Sequence, residues 1–225
     1  MTLGRPRVHF RAIGSTNDHA RALAAAGAPH GTLVTAGVQL AGRGRQGRTW
    51  TAPPGTALLL SLVVRDADPL LPLRAGLAVA DLAGRDARVK WPNDVLVDGL
   101  KVAGVLVEGR PQERWAVVGI GVNAALDLAS LPDELRGRAG TLDRSRGELD
   151  AVLHELLRLL ESRIAEPAAA TLAALRERDA LLGQPVRWAG GEGVGAGLDE
   201  TGALKVRRAD GTVVALDAGE VHLGG

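Results

Sequence analysis

From Ala57 to Val64 the chain runs Ala-Leu-Leu-Leu-Ser-Leu-Val-Val, apolar at every place but one and without polar alternation. Such a run reads as a strand buried on both faces, and a strand of that kind needs helices packed on its sheet. The helices are legible nearby. Leu70 to Leu82 carries apolar residues at helical spacing through Leu73, Leu77 and Ala80 and ends near Gly84. From Glu148 a second stripe runs through Leu149, Val152, Leu153, Leu156, Leu157, Leu160 and Ile164, with His154 on its exposed side, and a further helix starts at Pro167 in the favoured first position.

Other strands are expected over Gly31–Gln39, up to Trp91, on either side of the Asp98-Gly99 hairpin signal, and over Trp115–Asn123. Beyond Leu182-Gly183-Gln184-Pro185 the texture changes to short β runs at 186–189, 193–198, 203–207, 213–216 and 221–223, with Asp210-Gly211 as a turn. These read as a small barrel. The fold class is therefore α+β, a mixed central sheet flanked by helices over residues 1–182 and a small β-barrel over 183–225. With 225 residues and 46% hydrophobic content, the chain can bury a full-sized core and a small second one.

The segment Gly42-Arg43-Gly44-Arg45-Gln46-Gly47-Arg48-Thr49-Trp50 carries the chemistry. Glycines let backbone N–H groups approach an anion while guanidinium forks reach it from the side. The spacing formally matches G-x-G-x-x-G, but a dinucleotide fingerprint must open a helix, and Pro53-Pro54-Gly55 forbids one here. A kinase would need H-R-D and D-F-G, and neither occurs. An Arg-Gly segment binding RNA remains an alternative at this point.

Charge balance narrows that alternative. Basic and acidic residues number 27 and 26, so no global excess recruits nucleic acid or anionic membrane, and an anion must be held locally. One phenylalanine and no tyrosine make a poor stacking platform. Cysteine is absent, which excludes disulfides, thiol nucleophiles and thiolate metal sites and fits a reducing cytosol. No stretch reaches membrane-spanning length, so a soluble, cytoplasmic protein without membrane association is expected. Lysine occurs only at Lys90, Lys101 and Lys205, which suggests that the first two answer a need for a compact ammonium.

Four further groups stand out. Ser15-Thr16-Asn17-Asp18 precedes an alanine-rich helix closed by Gly27, and capping explains only part of that polar cluster. Pro92-Asn93-Asp94 interrupts two strands and is either a plain turn or part of a site. Lys101 is either a solvated strand charge or a ligand contact. In Trp115–Asn123, Gly119 and Gly121 fall on one face, where a flat ligand or neighbouring bulky side chains could lie on the backbone.

Together, Ser15-Thr16-Asn17, Gln39 with the Gly42–Trp50 segment, Lys90-Trp91-Pro92-Asn93-Asp94, Lys101-Val102-Ala103-Gly104-Val105-Leu106-Val107-Glu108 and Gly119-Ile120-Gly121-Val122-Asn123 resemble the biotin protein ligase family in order and spacing. The resemblance implies a catalytic domain like that of class II synthetases with a C-terminal SH3-like barrel. It implies ATP- and Mg²⁺-dependent activation of biotin to biotinyl-5′-AMP with release of pyrophosphate, then transfer to a lysine of a biotin carboxyl carrier protein. By the same inference Ser15, Thr16, Asn17 and Gln39 hold biotin's polar ends, while Arg43, Gly44 and Arg45 close over it with Trp50 as a lid. Lys101 touches the biotin carboxylate and the α-phosphate and, with Arg43, Arg45 and Asp94, is assigned to catalysis. Arg45, Arg48, Lys90, Asn93, Lys101 and Asn123 serve ATP, and Asp94 alternatively orients the acceptor lysine. Gly104, Gly119 and Gly121 form the floor under biotin's rings, and the metal ligands are unassigned. Some family members carry an N-terminal DNA-binding domain; the Ser-Thr-Asn block comes too early for one, so no DNA binding is expected, and a monomer or weak homodimer is. The competing readings are a lipoate or octanoyl transferase of the same superfamily and a non-catalytic nucleic-acid-binding protein.

Overall fold

The computed structural model describes residues 3–217 and 219–224. Its main sheet is built from β1 (Arg7–Phe10), β2 (Leu33–Ala36), β3 (Ala57–Arg65), β4 (Arg88–Lys90), β5 (Asp94–Val97), β6 (Leu100–Arg110) and β7 (Trp115–Asn123). The spatial order is β1-β2-β3-β7-β6-β5-β4, with β1 and β2 parallel and every other neighbour antiparallel. The apolar run from Ala57 becomes the centre of this sheet, paired with β2 on one side and β7 on the other.

Its two faces meet different partners. Leu58, Leu60, Leu62 and Val64 join the large core with α2 (Leu71–Ala83) and α3 (Leu149–Ala165). Val63, with Val34, Trp115 and Val117, packs under α1 (Thr16–Ala25) through Ala20 and Ala24. The residue that breaks the apolar run, Ser61, is fully buried on this second face. Because α1 has only 10 residues, it covers one end of that face and leaves the other to the Gly/Arg segment.

Most local expectations hold, with shifts of a residue or two. Asp98 and Gly99 both have left-handed φ, 51° and 76°, the geometry of a two-residue hairpin turn. The strand expected over Gly31–Gln39 shrinks to β2, and Gln39 lies outside it, in an isolated bridge with Ile13. Pro167 caps rather than starts α4 (Ala168–Glu177), its ψ of 147° being extended. β1 has no counterpart in the sequence reading, since four residues are too few to establish a period.

The C-terminal sheet contains β8 (Pro185–Trp188), β9 (Gly191–Leu198), β10 (Leu204–Arg207), β11 (Val213–Leu216) and β12 (His222–Leu223), all antiparallel in the order β11-β10-β9-β8-β12. This is the sheet expected of the small SH3-like barrel. Leu198, Leu204 and Val206 belong to the same continuous core as β3 and α2, and Trp91 Nε1 donates to Gly202 O at 3.0 Å. The barrel is thereby seated beside β4 and β5.

Candidate active site

Beyond the end of α1 the sheet face is made of backbone. Gly104 pairs with Gly121 across β6 and β7, and Gly119 lies two residues along. A Cβ on Gly119 would sit 2.1 Å from Asn17 Oδ1, one on Gly121 2.4 Å from Trp50 Cε2, and one on Gly104 3.1 Å from Trp50 Cζ3. The Asn17 carboxamide and the Trp50 indole lie against this bare face.

Residues 15–17 are all buried, at 4%, 3% and 4% exposure, so they do more than cap. Ser15 is the N-cap of α1, its side chain accepting from Asp18 N. The Thr16 N–H and Oγ1 both donate to Gln39 Oε1, at 2.8 and 2.9 Å. Asn17 Nδ2 donates to Glu108 Oε2 at 2.9 Å, and its Oδ1 lies 2.7 Å from Ser61 Oγ.

The Gly/Arg segment folds as a narrow loop across this polar patch. Arg43 and Thr49 form an isolated bridge, Gly44 N donates to Arg48 O, and Gln46 takes a left-handed φ of 53°. Each arginine goes a different way. Arg43 ion-pairs with Asp18 at 2.6 Å and Glu108 at 2.9 Å, and chiefly the hydrogen bond to Asp18 raises its pKa. Arg45 reaches Asn93 Oδ1 at 3.3 Å and Gly219 O at 3.0 Å, and burial, then the nearby Arg48 charge, pushes its pKa down. Arg48 pairs with Glu220 of the C-terminal region at 2.6 Å.

Lys101 Nζ lies 2.6 Å from Asp94 Oδ1 and 5.6 Å from the centre of the Trp50 ring. Lys90, directly opposite Asp94 in the register of β4 and β5, has its pKa lowered mainly by burial and also by Lys101 and Arg48, with Asp94 opposing. Arg45, Arg48, Lys90 and Lys101 thus crowd as four positive groups around two carboxylates, Asp94 and Glu220. An incoming anion relieves that crowding.

A cavity of about 110 Å³ joins Ser15, Thr16, Asn17 and Gln39 to Arg43, Gly44, Arg45, Arg48 and Trp50; Asn93, Lys101, Gly104, Gly119 and Gly121 also line it, as do the apolar Leu60, Val105, Leu106 and Ile120. Lys90, Asp94 and Asn123 lie outside that lining. Asn123 instead donates to Gly140 O at 3.0 Å and borders a second, more apolar recess of about 440 Å³, which also contacts Trp50 and Lys101. Leu126, Leu131, Pro132 and Leu135 line this recess, and sequence reasoning passed over all four because isolated apolar residues in a loop carry no period. Ser61, as the lone polar residue of a buried strand, did carry a signal.

A family model, "Biotin/lipoate A/B protein ligase family", matches residues 10–124, the stretch that builds this cavity. The chain belongs to the biotin/lipoate A/B protein ligase family. Within it, the biotin--[acetyl-CoA-carboxylase] ligase of Mycobacterium tuberculosis is 36% identical over 93% of this chain and 86% of its own length. The bifunctional ligase/repressor BirA of Bacillus subtilis is 36% identical over 72% of this chain, which spans 54% of that protein. The structure of the Aquifex aeolicus biotin protein ligase in complex with biotin and ATP superimposes with a TM-score of 0.81 at 27% identity, covering 98% of this chain and 100% of that one.

Proposed function

We propose that this chain is a biotin protein ligase that couples biotin to ATP and passes the biotinyl group to a lysine of a biotin carboxyl carrier protein. One observation supports this above the rest: a buried polar recess at Thr16 and Gln39 opens, within one cavity, onto the cations Arg45, Arg48 and Lys101. A ligand polar at one end and anionic at the other fits that gradient. A lipoyl group, whose dithiolane ring is apolar, would leave the polar end of the recess without a partner.

In the first step a biotin carboxylate oxygen bonds to the α-phosphorus of ATP while the bond to the leaving pyrophosphate breaks. Two anions have to meet, and Lys101, fixed by Asp94, supplies positive charge between them. Arg45, Arg48 and Lys90 receive phosphate oxygens. The apolar recess bounded by Leu126, Leu131, Leu135 and Asn123 takes the adenine, its volume of about 440 Å³ lying within the range of ligand pockets. In the second step the acceptor amine attacks the biotinyl carbonyl and AMP leaves, with Asp94 accepting the amine proton. No protein nucleophile is involved, in keeping with a chain that lacks cysteine.

Among the described residues no group of three or more His, Asp or Glu is placed to hold a metal ion. That fits Mg²⁺ arriving on the nucleotide, since this ion keeps water and phosphate ligands with few protein carboxylates. Among the described residues the buried Trp50 Nε1–H meets no hydrogen-bond acceptor, a deficit of about 1–3 kcal/mol that a ligand oxygen would remove. Trp50 and the Arg43–Arg48 loop are assigned to the lid over the cavity of about 110 Å³, opening to admit biotin and closing on it. We place the catalytic unit at residues 1–182 and the barrel at 183–225, where Gly183 turns the chain with φ of 73°. Among the described residues no helix is long and apolar enough to cross a membrane, which accords with a cytoplasmic setting.

The deciding experiment is calorimetric titration with biotin, lipoate and ATP, followed by mass spectrometry of a biotin carboxyl carrier domain incubated with the protein. Binding of biotin over lipoate and a single biotin adduct are expected. Indifference to biotin in the presence of ATP and Mg²⁺ overturns the reading.

A further inference from the structure

Glu108 ends the Lys101–Glu108 block, yet nothing in the chemistry above uses it. Its side chain is 21% exposed and meets two site elements at once: Oε2 accepts from Asn17 Nδ2 and Oε1 accepts from Arg43 Nη2, both at 2.9 Å. Arg21 approaches the same Oε1 at 3.5 Å, and Asp18 shares Arg43 at 2.6 Å. From Asn17 the contacts continue inward. Ser61 Oγ lies 2.7 Å from Asn17 Oδ1 and 2.8 Å from Thr16 Oγ1, which in turn meets Gln39 Oε1. The chain Arg43–Glu108–Asn17–Ser61–Thr16–Gln39 therefore returns to the backbone just before Arg43.

Its direction is set at one end. An ionised carboxylate only accepts hydrogen bonds, so it must face the Asn17 NH₂, and the Asn17 oxygen is then turned toward Ser61. Asn is nearly symmetric in shape, and without an acceptor-only partner its amide could turn over and reverse the hydrogen bonds that follow. We propose that Glu108 is a positioning residue for biotin, orienting the Asn17 carboxamide and anchoring Arg43 so that the polar recess and the loop above it act as one unit. This rests on the ligase reading, in which Thr16 and Gln39 hold biotin's polar end.

Glu108→Gln is nearly isosteric and discriminates. Its amide has one acceptor oxygen, which can serve Arg43 or Asn17 but not both, while its NH₂ opposes the other donor. In the otherwise wild-type protein, calorimetry should show biotin binding weakened about tenfold. In an Arg43→Ala background the glutamine can turn its oxygen to Asn17, and the same substitution should then cost less than about twofold. Equal losses in both backgrounds, or no loss in either, overturn the proposal. The loop anchor is read separately in the ligand-free protein, where trypsin should cut after Arg45 or Arg48 several-fold faster in Glu108→Gln than in wild type, with the melting temperature confirming that both are folded. Unchanged cleavage also overturns it. Wild-type protein that takes no biotin would instead sink the ligase reading, and the proteolysis would still judge the anchor.

Discussion

Gly121→Ala tests whether the bare backbone of β7 exists to seat Trp50. The added Cβ would stand 2.4 Å from Trp50 Cε2 and 2.6 Å from its Nε1. Carbon atoms settle at about 3.5–4.0 Å, so the indole has to lift by roughly 1 Å or more. The three nearest atoms that Cβ would meet all belong to the Trp50 indole. Gly121 lies in an extended strand, where alanine is favoured over glycine by about 0.5–1 kcal/mol. Trp50 belongs to a loop whose residues 45–49 are largely exposed, so it can yield without disturbing the core. Stability should therefore stay within about 1 kcal/mol of wild type, while a lid displaced by an ångström lowers kcat/KM for adenylation on the order of a hundredfold. Gly119→Ala is the contrast. Its Cβ would meet Asn17 Oδ1 at 2.1 Å and Cγ at 2.8 Å, and Asn17 is buried on the first turn of α1, held by Ser61 and Glu108. With no room to yield, overpacking should cost about 1–3 kcal/mol, or roughly 3–10 °C in melting temperature for a chain of this size. Differential scanning calorimetry and pyrophosphate release distinguish the two variants. The reasoning fails if Gly121→Ala melts as low as Gly119→Ala. It fails equally if Gly121→Ala lowers kcat/KM as much in a Trp50→Ala background as in wild type, because the ligand and not the indole would then need the bare backbone.

Lys101→Ala should lower pyrophosphate release at least about a hundredfold while costing only about 1–3 kcal/mol of stability, the latter from leaving the Asp94 carboxylate without its cation; release at the wild-type rate removes Lys101 from the mechanism. Residues 42–50 should be cut by trypsin more slowly once biotin is bound, and equal sensitivity with and without biotin would count against a closing lid. Lys90 predicts a pH dependence. Its depressed pKa means that the native state sheds this proton before the unfolded chain does, so the destabilisation from its buried charge, full at low pH, disappears as pH rises through the folded value toward the unfolded one. Bound phosphate favours the charged form, so ATP affinity measured by calorimetry should fall as pH climbs through that depressed value. Lys90→Arg, which keeps its charge, should flatten the decline, and a flat wild-type profile would refute the assignment.

The layered fold was legible because its signals are local. A strand with no polar face, two amphipathic helical stripes and an Asp98-Gly99 turn each state their own conformation, and the central position of β3 follows from burial on both sides. The polar blocks were legible as candidates for a different reason: Ser15-Thr16-Asn17, Gly42–Trp50 and Lys101 each hold residue types that a core or a plain turn does not need. What each block faces was not written in its own stretch. Ser61 and Glu108 join Thr16 and Asn17 through contacts spanning 45 and 91 positions of sequence, and Arg48 finds its carboxylate in the C-terminal region. Such pairings depend on which strand neighbours which and on where a short helix ends. The same holds for the glycines. Their spacing placed them on one face of β7, but which side chains lie against that face depended on the loop folding back over the sheet, which brings Trp50 to the surface that α1 leaves uncovered.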